Sequence, residues 1–422
     1  MKTYILVILA ILVLSCSSGE KKCTIMGEII GRKTNALLLF KASRFPVYEA
    51  EIPISNSSFN YSFKFRQPEV YLLIFKDEFQ KGLIRETPFF TESGTIKFSI
   101  PSDNDSKGYS VNGHKLNDAY LDYYRMLRDK FYDQTMKYTD SINAMYRSGT
   151  VFSKEFQATQ DALKNTKETS ARNLLISEQR YLKSMGSMYN PKAKKYVEKQ
   201  DSIAKQQKIW EYDFIDKTTS LVSLYLFMNN IREAAHTSEW KAVDQAFINK
   251  TKSNLARFSS EFPDHPYCLI VKNAIEGFSN IHTGGQMIDF TATNIKGDST
   301  CLASIIKGSK LTLLHFWSTW YAPSVKTGKD LIPVYREYKN KGFEIVGITQ
   351  GFGKTDELTN FINKENYPWA NLIDKDSKAG AWEKYNLSYQ SGGTFLVDSS
   401  GKILEVNLTA DKVKEKLVTM LK

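Results

Sequence analysis

In residues 310–317, KLTLLHFW, an apolar run follows Lys310 and is broken only by one threonine and one histidine. A strand with one wet face alternates apolar and polar residues, so a run without alternation needs cover on both faces. The run leads into Ser318-Thr319-Trp320-Tyr321-Ala322-Pro323. Proline favours the first turn of a helix, so the pattern predicts a helix over 323–338. A doubly buried strand feeding a helix commits this part of the chain to layered α/β structure. The flanking sequence agrees. "MIDFTATNIKGDSTCLASII" reads as a hairpin turning at Lys296-Gly297-Asp298, then a short helix. "FEIVGITQ" is a second buried strand, followed by helices over 355–365 and 377–385. "GTFLVD" and "KILEVNL" form an antiparallel pair across Ser399-Ser400-Gly401-Lys402, and "DKVKEKLVTMLK" is a closing helix.

The rest of the 422 residues read differently. Over 24–112, short β-branched and aromatic runs such as "NALLLFKA" and "EVYLLIFK" are separated by turn formers. "SFNYSFKF" alternates with period two. Regular spacing of this kind predicts an antiparallel sandwich or barrel. Over 113–282 the apolar spacing is helical, with Asn117 or Asp118 as a candidate cap and a break at Asn190-Pro191. "KIWEYDFIDKTTSLVSLYLFMNN" is the most apolar piece, but its start is too polar to span a membrane. "SEWKAVDQAFINKTKSNLARFSSEFPDHP" reads as a helix closing at Pro263. The expected fold is therefore multidomain: a β-domain over 24–112, an α-helical region over 113–282 and an α/β domain over 284–422.

The N-terminus bears on compartment. Lys2 precedes an apolar stretch over 4–14, too short for a bilayer and suited to a signal peptide over 1–15. Val13-Leu14-Ser15-Cys16 resembles a bacterial lipobox. That resemblance implies acylation of Cys16 and an anchor worth about 0.8 kcal/mol per buried methylene. The expected location is the bacterial cell envelope, membrane-bound through that lipid. The formal charge is +11, but the basic residues are dispersed, so no nucleic-acid partner is expected. Cys23, Cys268 and Cys301 remain after Cys16. An oxidising envelope allows one disulfide among them, Cys268–Cys301 being one possibility. No cysteine has another two to four residues away, and the five histidines are scattered, so no metal site and no cofactor are expected.

Three motifs carry a family resemblance. "IDFTATNIKGDSTCLASIIKGS", "LLHFWSTW" and "TFLVDSSGKIL" stand in the order and spacing of a thioredoxin-fold domain of the TlpA/ResA-like, AhpC/TSA-related kind. Gly27-Glu28-Ile29, Phe59-x-Tyr61-x-Phe63 and Pro68-x-x-Tyr71 resemble the β-domain of unknown function that precedes such folds in envelope lipoproteins. The first resemblance implies thiol–disulfide oxidoreductase chemistry. One thiolate attacks a substrate disulfide and a second thiol resolves the mixed disulfide.

The sequence departs from that family where the chemistry would occur. Tyr321 and Ser324 take the two cysteine places. A phenol, with a pKa of ~10, forms no disulfide, and a hydroxyl resolves none. Thr327 replaces a frequent Glu, Lys329 a kinking Pro, and Gly392 the cis-proline opposite the active site. Five departures at one place predict a redox-inactive domain serving as a binding or assembly module. The alternative is an envelope oxidoreductase that uses another thiol. For binding, Trp317, Trp320 and Tyr321 are expected to form an aromatic rim. Ser324, Gly392 and Gly393 would lie beside it, with Lys326 and Lys329 adding charge at a helix start that suits a peptide or an anion. No Ser-His-Asp spacing, paired carboxylates or phosphate loop supports a different enzyme.

Overall fold

The computed structural model describes residues 19–101, 109–112, 114–238, 240–319, 321–351, 355–388 and 391–421. The expected signal peptide, Cys16 and Trp320 lie outside these residues.

Eight strands make the N-terminal part: β1 (Lys21–Ile29), β2 (Ala36–Lys41), β3 (Tyr48–Pro53), β4 (Ser58–Phe65), β5 (Val70–Phe75), β6 (Thr87–Phe90), β7 (Gly94–Ile100) and β8 (Ser110–Asn112), with a short α1 (Lys76–Phe79) after β5. They form two four-stranded sheets, ordered β4-β1-β7-β8 and β3-β2-β5-β6. The sheets meet through aromatic pairs, with Phe63 and Tyr71 at 5.0 Å and Phe89 and Phe98 at 5.2 Å. In β4 the alternation places Phe59 and Phe65 inside and Asn60, Ser62 and Lys64 outside. Every residue of β5 is buried because its far side is covered by helix, and the Val70 N–H donates to the Tyr267 hydroxyl at 2.7 Å.

Helices follow: α2 (Lys115–Leu127), α3 (Asp133–Arg147), α4 (Lys154–Asn165), α5 (Thr169–Ser184), α6 (Pro191–Lys217), α7 (Leu221–Thr237), α8 (Gln245–Glu261) and α9 (Pro266–Asn280). The chain divides into two compact units, Ala119–Phe227 and the remainder. Within the first, Ile142, Val151 and Ala193 make a small core, and Tyr123 stacks on Trp210 at 5.5 Å. Asn190 caps α6 by accepting from the Ala193 N–H, with Pro191 in the first turn. None of the helices searched among the described residues is long and apolar enough to cross a membrane.

Two helix boundaries differ from the sequence reading. Asn117 does not cap α2. Its amide exchanges two hydrogen bonds with Phe90, at 2.8 and 2.9 Å, and ties the helix to β6. The helix expected from 238 starts only at Gln245, where Asp244 accepts from the Ala246 N–H, which leaves 240–244 as a loop.

The C-terminal domain is a seven-stranded sheet ordered β10-β9-β13-β12-β11-β14-β15. Its strands are β9 (Thr291–Asn294), β10 (Ser299–Cys301), β11 (Leu311–Trp317), β12 (Phe343–Gly351), β13 (Ala370–Lys375), β14 (Gly393–Asp398) and β15 (Ile403–Val406). β11, β12 and β13 are parallel, and β14 runs antiparallel to β11. Leu311, Leu313 and Trp317 of β11 share a core with α11 (Ala322–Tyr338), α12 (Thr355–Glu365) and α14 (Ala410–Met420). Leu314 and Phe316 point the other way, toward α10 (Leu302–Ile306) and α13 (Ala381–Lys384). Both faces of β11 are covered, as its unbroken run requires. The helix expected over 377–385 is shortened to α13. Asp376 and Ser377 adopt positive φ (56° and 54°), and the Asp374 carboxylate turns the chain by accepting from the N–H groups of Ala379 and Ala381.

Candidate functional site

β11 ends against the first turn of α11, and the loop between them sets the site. Tyr321 is the last residue before the helix, with non-helical backbone (φ −106°, ψ 86°). Its carbonyl accepts from the N–H groups of Ser324 (3.0 Å) and Val325 (3.4 Å). Ser324 is buried. Its hydroxyl donates to the Tyr321 carbonyl at 2.8 Å and accepts from the Ser318 N–H at 3.2 Å. That oxygen is committed to closing the 318–324 turn.

Gly392, just before β14, lies against this turn. A Cβ there would stand 2.5 Å from the Phe316 carbonyl oxygen and 2.8 Å from the Ser324 Cβ, so any side chain would force the walls apart. Residues 68 apart in sequence thus meet at Ser324 and Gly392. Together with Tyr321, Gly393, Thr409 and His315 they line an open cavity of about 160 Å³. Among the described residues lining it, none is charged and none is a cysteine.

In the sequence His315 reads only as one of five scattered histidines, each structural or exposed, because a lone histidine in an aliphatic run carries no pattern. It is 1% exposed, on the floor of the cavity, and its Nε2 lies 3.1 Å from the Ser324 carbonyl oxygen. Nδ1 has no partner among the described residues. Burial pushes its pKa down to about 4, partly offset by the bond to Ser324, so the ring is neutral at pH 7. Its one available signal in the sequence was a polar ring inside "LTLLHFW".

The expected aromatic rim is corrected. Trp317 is fully buried, stacked on Phe361 at 5.8 Å and edge-on to Tyr367 at 5.3 Å. Strand alternation points it into the core, not to the surface. Tyr321 is half-buried at the cavity. The expected positive charge is also reduced. Lys326 pairs with Asp330, and Lys329 with Glu365 at 2.7 Å. Pro323 has no N–H to offer, and the next two are taken by the Tyr321 carbonyl. The Thr327 hydroxyl donates to the Pro323 carbonyl at 3.1 Å. Proline does enter this helix, four residues beyond Lys329, at Pro333.

The three described cysteines are free thiols, so the Cys268–Cys301 pair does not form. Cys23 is buried in β1, and burial raises its pKa to about 11. Cys268 is buried in α9. Cys301, half-buried at the end of β10, donates its S–H to Asp289 at 3.0 Å.

Comparison with known proteins places relatives beside this geometry. Residues 283–406 match the AhpC/TSA family, and residues 23–120 match a domain of unknown function, DUF4369. The thiol-disulfide oxidoreductase ResA of Bacillus thuringiensis (strain Al Hakam) is 31% identical over 141 residues, 33% of this chain and 76% of that protein. ResA of Bacillus subtilis (strain 168) is 28% identical over 137 residues, covering 32% and 73%. The solved thioredoxin domain of a thiol-disulfide oxidoreductase from Bacteroides vulgatus is 24% identical, with a TM-score of 0.31 over 34% of this chain and 100% of that one.

Proposed function

The chain belongs to the AhpC/TSA family, on the side of the ResA thiol-disulfide oxidoreductases, and from that premise we propose that its thioredoxin-like domain is a redox-retired binding or assembly module of an envelope lipoprotein anchored through Cys16. The observation that carries this reading is the state of Tyr321 and Ser324. Reducing a substrate disulfide needs two electrons from a pair of thiols, through one mixed disulfide that forms and then breaks. A phenol and a serine hydroxyl supply neither electrons nor a sulfur to join. The Ser324 hydroxyl is in addition spent on the Ser318 and Tyr321 backbone. What the cavity does offer is hydroxyls, the Asn407 amide, glycine backbone and one uncharged imidazole. That chemistry suits a neutral, hydrogen-bonding segment such as an extended peptide better than an anion.

The family activity is the alternative, and Cys301 is the thiol it would have to use, since Cys23 and Cys268 are buried. The test is disulfide reductase activity with dithiothreitol as donor, for the natural chain and for the double variant Tyr321→Cys, Ser324→Cys. A silent natural chain beside an active variant supports retirement. Turnover by the natural chain, abolished by Cys301→Ser, would establish the alternative instead.

A further inference from the structure

Gly392-Gly393 is the most permissive dipeptide a cavity wall can contain, because neither residue restricts its backbone through a Cβ. On one side Gly392 is held by the Phe316 carbonyl and the Ser324 Cβ. On the other side stands Trp240, from the loop between α7 and α8. A Cβ on Gly393 would meet the Trp240 ring at 3.4 Å and Leu387 at 3.1 Å. The indole sits edge-on to Phe395 of β14, with centroids 5.6 Å apart and planes at 89°. Its Nε1–H donates to the Tyr385 carbonyl at 3.0 Å. Trp240 holds this place with φ at +55°, a left-handed backbone that a bulky residue adopts only when its surroundings enforce it. The loop is tethered on its upstream side. Arg232 of α7 donates to the Ala42 carbonyl at 2.9 Å and lies 3.6 Å from Glu383 of α13.

We infer that Trp240 is a positioning residue for the cavity: it clamps the Gly392–Gly393 wall from behind and couples the α7–α8 loop to whatever the cavity binds. The inference rests on reading this cavity as the binding site. The rigidity that a proline ring would give the wall is supplied here by an aromatic ring reaching in from about 150 residues upstream. A ligand that pushes on Gly393 pushes on Trp240, and through it on α7 and α8. Because α7 is bonded to both the β-domain and α13, the displacement has a route to the β-domain.

The experiment is amide hydrogen exchange on the full chain, natural and with Trp240→Ala or Trp240→Phe. Removing the indole should speed exchange over 391–395 by about tenfold, as expected for freeing one local opening, with β12 and β13 unchanged. The Phe variant keeps the ring contact and should stay close to the natural chain. The same substitutions are then placed in the Tyr321→Cys, Ser324→Cys background, where the rate of disulfide reduction by dithiothreitol reports wall geometry. Trp240→Ala should change that rate by about tenfold and Trp240→Phe should restore it. Exchange over 391–395 within twofold of natural overturns the inference. Equal loosening of β12 and β13 also overturns it, because Trp240 is then ordinary core. If the double cysteine variant cannot be reduced at all, the reading of the cavity fails, while the exchange result still decides the role of Trp240.

Discussion

Replacing His315 by Leu and following stability from pH 7 to pH 4 tests the floor of the cavity. In the folded chain burial holds the imidazole pKa at about 4, against 6.5 for the free side chain. Between those values the unfolded chain binds a proton that the folded chain refuses. Stability is therefore fully present above pH 6.5 and is lost as the pH falls toward 4. At about 1.4 kcal/mol per pKa unit, the natural chain should lose about 3 kcal/mol across that window through this one residue. The Leu variant has nothing to titrate there. At pH 7 it should be the weaker protein by about 1–3 kcal/mol, because the Ser324 carbonyl loses its donor in a buried place. By pH 4 that deficit should close or reverse. Other groups titrate in both proteins, so the informative quantity is the difference between them. A chain with two compact units need not unfold in one step, so the readout should be local. Urea unfolding read by pulsed hydrogen exchange of β11, at one fixed pulse pH, meets that need. If the two proteins lose the same stability between pH 7 and pH 4, His315 is not the buried neutral ring described here.

Gly392→Ala should destabilise the C-terminal domain by about 1–3 kcal/mol, the cost of overpacking, since its Cβ would fall 2.5 Å from a carbonyl oxygen; an unchanged urea midpoint would show that the wall yields freely. Brief alkylation of the native protein should label Cys301 ahead of Cys268 and Cys23, the last being both buried and held at a pKa of about 11; peptide mass mapping reads the order, and early labelling of Cys23 would contradict its place in the sandwich core. Fatty-acid labelling in a bacterial host should mark the natural chain, and Cys16→Ala should abolish the mark; a persisting mark would remove the proposed anchor.

Local pattern was enough for much of the architecture. The unbroken run of β11, the proline that opens α6 and the Gly297 turn each act over a few residues, and the sequence shows all of them. That Tyr and not Cys stands at 321, and Ser at 324, is likewise a statement about single positions and needed no coordinates. Helix limits were less legible where a distant group competes. Asn117 has the chemistry of a cap, but the backbone of Phe90 claims it.

The character of the site was decided by closure of the fold. Trp317 and Tyr321 are both aromatic and four residues apart, yet the strand carries one into the core and the loop leaves the other at the cavity. Whether Lys329 adds charge depends on Glu365, which only the packing of α12 against α11 brings to 2.7 Å. His315, Gly392 and Trp240 come from a strand, a loop before another strand and a loop between helices, and no periodicity links them. Sequence alone determined which elements form and that no cysteine stands at 321 or 324, because propensity, capping and residue identity are local properties. Tertiary structure decided which side chains face the cavity, which charges are cancelled and what holds its glycine wall, because those depend on contacts between residues tens to more than a hundred positions apart.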